Sequence, residues 1–316
     1  MNPYLVFPFL HTINYNFFNI DLFEPYQQKD VSLISVRHGR AVSACENCLK
    51  WINIKGIGWQ FGGPAILRPR KDRELIFGVM EEKGAKRELE VSEYIQKLGP
   101  SLCPKVLKYI RIADLCDEIY RNNPNLSDND RKTLDTIVNL KYNTGETVNP
   151  SILYTQMKSP FRIADLAFFK DEDKSKILDF YCRYFLAKKS NFIERFAKRL
   201  GFNIGFLHEN GIINDSLYYD NITLCAEICD YEWLTVPGML LPNGQDASNI
   251  MTDERKEKEI IYAIEAVLRL AGMLQLECNF YNIFDAIMEG YLMHNIKFFL
   301  PSKQLQQIKN RENIIL

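Results

Sequence analysis

The patterning of the chain changes from strand-like to helix-like near its middle, and this change limits the folds it can adopt. The first half contains short β-type runs separated by turns, such as VSLISV (31–36), AVSAC (41–45) and LKWINIK (49–55). In the second half apolar residues recur at helical spacing over 174–188, 190–209, 253–274 and 282–299. We therefore expect an α+β protein with a β-rich N-terminal lobe (1–158) and a helical C-terminal lobe (159–316).

Shorter segments refine this plan. Two further strands are predicted at 104–112 and 151–157, and the polar insert between them, 113–150, is expected to hold one helix at about 127–140. In the helical half, the alternation of apolar residues in DNITLCAEICDYE predicts a short β-hairpin over 220–232.

The one helix predicted in the first half, residues 83–98, carries a carboxylate on its apolar side. Its solvated stripe and its buried side follow from helical spacing: Lys86, Glu90, Glu93 and Lys97 on the stripe, and Val91, Ile95 and Leu98 on the buried side. Glu88 shares the buried side. Because an unpaired buried charge is costly, Glu88 is expected to have a basic partner.

Composition excludes several classes of function. The net charge of −1 argues against a general nucleic-acid-binding surface, which needs clustered excess Lys and Arg. No apolar run approaches the roughly 18 residues of a membrane span, and the first residues lack a basic signal-peptide segment. One CxxC among eight cysteines supplies only two of the four ligands of a structural zinc site, so free thiols are expected. We expect a cytoplasmic protein with no membrane or nucleic-acid partner.

Candidates for phosphoryl-transfer chemistry occur in the order that kinases require. Such sites use a lysine on a strand, a glutamate on the next helix, a carboxylate base, and an Asn and an Asp that bind metal. The candidates in this chain are Lys55, Glu88, Asp220, Asn221 and Asp230. Their order, together with the two-part patterning, is the plan of a two-lobed protein-kinase-like fold.

Four motifs resemble those of the selenoprotein O family of kinase-like protein AMPylases. They are HGRA (38–41), IKGIG (54–58), RELEVSEYIQKLG (87–99) and DNITLCAEICDY (220–231). The helix block is the most specific of the four. The resemblance covers roughly residues 37–232, with gaps, and the chain is identified on this basis as a divergent member.

The resemblance implies an activity and a set of site residues. It implies transfer of AMP from ATP, with Mg²⁺ or Mn²⁺, to Ser, Thr or Tyr hydroxyls of a protein substrate. The implied catalytic base is Asp220, and the implied metal ligands are Asn221 and Asp230. The implied nucleotide-binding residues are Lys55, Glu88, Arg162, Gly39 and Arg40, with Arg162 the second of two arginines that hold the outer phosphates.

The chain departs from the family pattern at several positions. Thr155 stands where the first phosphate-binding arginine is expected, with Lys158 as a nearby substitute, and additional residues near 61–77 separate Lys55 from Glu88. Ser216 stands where ordinary kinases carry their base, which leaves Asp215 or Asp220 for that role. A kinase of protein or small-molecule substrates and a non-enzymatic nucleotide-binding pseudokinase module are therefore the alternative functions.

Overall fold

The structure, a computed structural model, describes residues 33–35, 41–47, 50–56, 66–69, 74–77, 80–99, 103–122, 128–142, 144–241, 244, 246 and 252–294. They belong to two compact units. The first unit comprises Met1–Glu93 with Lys105–Pro160, and the second comprises Tyr94–Pro104 with Phe161–Leu316. The class is mixed α+β, as the sequence predicts.

A six-stranded antiparallel sheet forms the first unit. Its strands are β1 (Leu33–Ser35), β2 (Ala41–Asn47), β3 (Lys50–Lys55), β6 (Met80–Glu81), β7 (Lys105–Arg111) and β8 (Pro150–Met157). The order β1-β2-β3-β8-β6 runs across the sheet, and β7 also pairs with β8. The strand β8 is therefore central, which explains why all but one of its residues are buried.

A second, two-stranded sheet was not predicted. β4 (Ile66–Pro69) and β5 (Glu74–Phe77) pair antiparallel within the additional residues near 61–77. Each strand has only four residues, which is too short for alternation to distinguish a strand from a loop.

The helix α1 (Glu82–Leu98) has the two faces that the sequence predicts. Val91 and Ile95 are buried and Leu98 is half-buried, whereas all four residues of the solvated stripe are exposed. Ser92 is also buried, and its hydroxyl accepts a hydrogen bond from the Val106 N–H at 2.9 Å. The serine of the helix motif therefore attaches α1 to β7.

The insert at 113–150 contains two helices rather than one. The predicted helix is α3 (Asp128–Val138), and α2 (Ile112–Asn122) precedes it. We assigned Ile112 to the end of the preceding strand, but it begins a helix in which Ile112, Leu115, Cys116 and Ile119 recur at helical spacing. The strand and the helix are directly joined, so no turn residue marks the boundary between them.

Four α-helices form most of the described part of the second unit. They are α4 (Asp171–Tyr184), α5 (Phe192–Glu209), α6 (Asp253–Met273) and α7 (Phe280–Tyr291). The predicted last helix extended to 299, whereas α7 ends at Tyr291 and residues 295–299 lie outside the described ranges. Across the described part of the chain, no helix combines the length and apolar character needed to cross a membrane.

Glycines allow α5 and α7 to approach closely. A Cβ atom on Gly201 would lie 2.0 Å from the carbonyl oxygen of Ile287, and one on Gly290 would lie 1.9 Å from that of Lys198. Both distances are far below van der Waals contact, so only glycine fits where these two helices cross.

Candidate functional site

Lys55 and Glu88 form a buried ion pair in the first unit. Lys55 is the last residue of β3, paired in register with Ala41 on β2 and Leu153 on β8. Its Nζ donates to Oε1 of Glu88 at 2.7 Å, and the two side chains are only 9% and 5% exposed. The sequence predicts that Glu88 faces inward and has a basic partner, and Lys55 is that partner.

The glycine after Lys55 is required by close packing. Gly56 has φ of +100°, and a Cβ atom there would lie 2.4 Å from the carbonyl oxygen of Ser151. Any other residue would force β8 away from the end of β3. The lysine–glycine pair of the IKG motif therefore keeps Lys55 beside the central strand.

In the second unit, three short segments lie side by side. The Ile163 N–H donates to the Ile222 carbonyl and the Leu224 N–H to the Phe161 carbonyl, both at 2.9 Å. The Cys229 N–H donates to the Asn221 carbonyl at 2.8 Å, which closes the turn between Asn221 and Cys229. Residues 161–163 therefore run along one edge of a tight turn at 221–229.

The hairpin predicted at 220–232 is thus present only in reduced form. A single antiparallel bridge joins Ile222 to Ile228, and another joins Arg162 to Thr223. Short 3-10 turns at Tyr219–Asn221 and Tyr231–Trp233 flank it, so regular strands do not develop.

This arrangement gathers Arg162, Asp220, Asn221 and Asp230, which we call the Arg162 cluster. The Arg162 Nη1 donates to the Asp220 carbonyl at 2.9 Å and to Asn221 Oδ1 at 3.2 Å. The same nitrogen lies 3.7 Å from Asp230 Oδ2. The sequence named all four residues as site residues, but it did not predict that Arg162 contacts the other three.

Hydrogen bonding fixes which atom of Asn221 faces the arginine. Its Nδ2 donates to the Ser216 carbonyl at 2.8 Å, so its Oδ1 is turned toward Arg162. Asn221 is buried, which limits alternative side-chain positions. An amide oxygen is therefore presented to the cation.

Asp230 is held in an unusual backbone conformation. Its φ of 64° and ψ of 67° lie in the left-handed region, where aspartate and asparagine are tolerated better than most residues. The next residue, Tyr231, is buried, and its hydroxyl donates to the Pro104 carbonyl at 2.8 Å. Such strained residues are often retained where the position of a side chain matters for function.

The charges of the cluster affect one another. Burial alone would lower the pKa of the Arg162 guanidinium, but the charge of Asp230, assisted by Asp165 and Asp220, raises this pKa above its ordinary value. Burial raises the pKa of the Asp220 carboxyl, and Arg162 opposes that shift. Arg162 is therefore a permanent cation beside two carboxylates.

The donor atoms of the cluster suit a hard divalent cation. Asp220 and Asp230 offer carboxylate oxygens and Asn221 offers an amide oxygen, which are the ligand types that Mg²⁺ and Mn²⁺ prefer. In the described ranges, no group of three or more His, Cys, Asp or Glu side chains is placed to hold a metal by itself. The set therefore fits a cation that also takes phosphate oxygens as ligands.

The other candidate for the base, Asp215, is already engaged in an ion pair. The Nε of Arg255 donates to Asp215 Oδ1 at 2.9 Å, and its Nη2 contacts Asp215 Oδ2. Both carboxylate oxygens thus accept bonds from one guanidinium fork, which is a strong and oriented arrangement.

The remaining named residues are Gly39, Arg40, Thr155 and Lys158. Gly39 and Arg40 lie outside the described residues. Thr155 is buried in the middle of β8, opposite Asn53 and Val106. Lys158 follows that strand and is half-buried.

A buried polar group that sequence reasoning missed lies near the loop that precedes Asp220. His208, at the end of α5, contacts the Tyr291 hydroxyl through Nδ1 and Glu259 Oε2 through Nε2, each at 2.8 Å. Burial lowers the pKa of His208 to about 3 and raises that of Glu259 well above its ordinary value. The residues come from three helices, so no local spacing in the sequence signals the contact.

No protein-family model matches the chain, and no curated protein matches it at a significant level. The assignment of function therefore depends on the residues and the geometry described above.

The Lys55–Glu88 pair generates a prediction about stability. Glu88→Leu should lower the free energy of unfolding by about 3–5 kcal/mol, because it removes the carboxylate that neutralises a buried ammonium. The double variant Lys55→Met/Glu88→Leu should recover most of this loss, because an apolar pair needs no neutralisation. Urea unfolding of the parent and of both variants measures these differences in the free energy of unfolding. A single variant no less stable than the double variant would contradict the prediction.

Asp165 generates a prediction about pH. It is buried, its Oδ2 accepts the Arg162 backbone N–H at 2.6 Å, and burial raises its pKa to about 7 although Arg162 opposes the shift. In the unfolded chain the aspartate pKa is about 3.9, so between about pH 4 and 7 the unfolded state loses its proton first. The contribution of Asp165 to stability therefore falls as pH rises through this window, by up to about 4 kcal/mol.

The matched variant Asp165→Asn removes this titration and keeps an oxygen for the Arg162 N–H. Its stability relative to the parent should rise between about pH 4 and 7 and level off above that range. Urea unfolding across this range tests the sign. A stability difference that does not depend on pH would show that Asp165 titrates as it does in the unfolded chain.

Proposed function

We propose that the chain is an ATP- and Mg²⁺-dependent transferase that transfers AMP to hydroxyl groups of a protein substrate. The proposal includes a protein-kinase-like fold, with the first unit as its β-rich lobe and the second as its helical lobe. Lys55 binds phosphate oxygens and is positioned by Glu88. Asn221 and Asp230 hold the metal, Asp220 acts as base, and Arg162 binds outer phosphate oxygens.

The observation that carries the proposal is the buried Lys55–Glu88 ion pair. A buried pair of this kind is a poor source of stability, because desolvation of the two charges offsets their attraction. In phosphate-transferring enzymes of the kinase class, however, the same pair presents a lysine to the nucleotide phosphates. The distance of 2.7 Å is that of an assembled pair.

The Arg162 cluster supports AMP transfer in particular. The guanidinium lies within 3.7 Å of both proposed metal ligands, Asn221 and Asp230. Phosphate oxygens bound by a metal at these ligands would remain within reach of the Arg162 side chain once its guanidinium has left Asn221 and Asp230. Arginine suits this role because its planar fork can hold two phosphate oxygens at once.

The reaction requires a base for the acceptor hydroxyl. The hydroxyl oxygen forms a bond to the α-phosphorus, the bond from that phosphorus to the bridging oxygen breaks, and pyrophosphate leaves with the electron pair. Asp220 takes the hydroxyl proton. Bound Mg²⁺ would supply charge neutralisation at the phosphates. Asp220 suits the role better than Asp215, because both oxygens of Asp215 are engaged by Arg255.

A kinase is the second candidate, and the observation that favours it concerns Thr155. This residue occupies the position of the first phosphate-binding arginine and is buried in the middle of β8. A pocket for the outer phosphates would therefore have one arginine rather than two. In a kinase the γ-phosphate faces the acceptor and needs no such pocket.

Transfer from labelled ATP separates the candidates. The parent protein, incubated with Mg²⁺ and a protein acceptor such as itself, should incorporate label from [α-³²P]ATP and none from [γ-³²P]ATP. Asp220→Asn should lower the rate by about 100-fold or more, because the base is lost while the shape is kept. Label from the γ-position alone would establish a kinase, and label from neither would indicate a nucleotide-binding module.

A further inference from the structure

We propose that Arg162 and the divalent metal compete for the same oxygens, so that the Arg162 guanidinium is the resident cation of the site until metal enters. This inference rests on the proposed function, because it takes Asn221 and Asp230 as the metal ligands. It adds a property that the proposed function does not contain: metal binding requires the arginine side chain to move away.

The contacts of Arg162 are those of a substitute cation. Its Nη1 donates to Asn221 Oδ1 at 3.2 Å. This oxygen faces Arg162 because the Nδ2 of Asn221 donates to the Ser216 carbonyl. It approaches Asp230 Oδ2 only to 3.7 Å, which is an ion-pair distance rather than a good hydrogen bond. The guanidinium therefore neutralises Asp230 at ion-pair distance and donates a hydrogen bond to the amide oxygen of Asn221.

The metal and the arginine cannot occupy these positions together. A Mg²⁺ ion lies about 2.0–2.1 Å from each of its ligand oxygens. Bound to Asn221 Oδ1 and Asp230 Oδ2, it would lie beside the present position of the Arg162 guanidinium. Two cations at this separation repel strongly in a partly buried site. Binding of the metal must therefore displace the guanidinium from Asn221 and Asp230.

The side chain can move while the backbone stays. The Arg162 N–H donates to Asp165 Oδ2 at 2.6 Å, and its carbonyl accepts from the Asp165 N–H at 3.1 Å. The bridge to Thr223 adds a third restraint. The Arg162 side chain is 18% exposed, so part of it faces solvent. Displacement by rotation toward solvent would also break its hydrogen bond to the Asp220 carbonyl.

Metal affinity without nucleotide tests the competition. Mn²⁺ binding, followed by loss of the free-ion electron paramagnetic resonance signal, should be at least about tenfold tighter in Arg162→Gln than in the parent, because a repelling charge is removed. Arg162→Lys keeps the charge and should bind Mn²⁺ like the parent. A purely structural role for Arg162 predicts the reverse, that Arg162→Gln weakens the site. Equal or weaker binding in a folded Arg162→Gln protein would overturn the inference.

The control Asp230→Asn separates this inference from the proposed function. Asparagine tolerates the left-handed backbone of position 230, so the variant changes charge with little added strain. Mn²⁺ binding that is lost in Asp230→Asn but unchanged in Arg162→Gln would overturn the competition alone. No Mn²⁺ binding in any variant would overturn the metal assignment of the proposed function and the inference with it.

A second measurement on the parent protein needs no variant at Arg162. Reaction with phenylglyoxal, followed by peptide mass spectrometry, reports how accessible each arginine is. Added Mg²⁺ should increase modification of Arg162 several-fold, because the displaced guanidinium leaves its carboxylate partner. Arg255, which pairs with Asp215 outside the cluster, serves as the internal reference. Modification of Arg162 that Mg²⁺ does not change would contradict the competition.

Discussion

The cost of removing charge from water governs both groups of residues to which we assign function. Lys55 and Glu88 are almost completely buried, and their opposite charges lie 2.7 Å apart and offset each other. The need to pair Glu88 with Lys55 fixes the rotation of α1 about its axis, because the face that carries Glu88 must point toward the end of β3. In the second unit, the Arg162 guanidinium lies 3.7 Å from the half-buried Asp230 carboxylate and donates to the oxygen of the buried Asn221 amide. The Lys55–Glu88 pair, the Asp230 backbone and the Asn221 amide are thus oriented in the protein without a ligand.

Such preorganisation is expected of an enzyme that works mainly by positioning and charge neutralisation. Phosphoryl and nucleotidyl transfer need little covalent chemistry from the protein, so most catalysis comes from fixed charges near the phosphates. The left-handed backbone of Asp230 and the oriented amide of Asn221 are features of this kind. Under the proposed competition, a divalent metal occupies the site only when the Arg162 guanidinium has left it.

Local patterns predicted much of the first unit because its determinants are local. The period of α1 identified Glu88 as inward-facing, and short β-type runs between turns identified β3, β7 and β8. The order of the motifs named Asn221 and Asp230, which the turn at 221–229 then brings together. The helix α2 was missed because strand β7 continues into it without a turn, and the pair β4–β5 was missed because its strands are short.

Contacts that join distant parts of the chain could not be predicted. Arg162 lies 58 residues before Asp220, and only the hydrogen bonds of 161–163 with the turn determine where its side chain reaches. The His208–Glu259–Tyr291 group depends on the packing of three helices. A sequence can show that a buried charge needs a partner, but the tertiary fold determines which residue that partner is.

The proposed function requires that Lys55, Asn221 and Asp230 act on the same nucleotide. An ATP analogue with an acyl group on its terminal phosphate transfers that group to a lysine near the bound phosphates, and peptide mass spectrometry then identifies the lysine. We predict acylation of Lys55 that excess ATP prevents and that requires both Mg²⁺ and Asp230, so that it is lost in Asp230→Asn. Acylation confined to other lysines, or acylation of Lys55 that neither ATP nor Asp230→Asn affects, would contradict the claim.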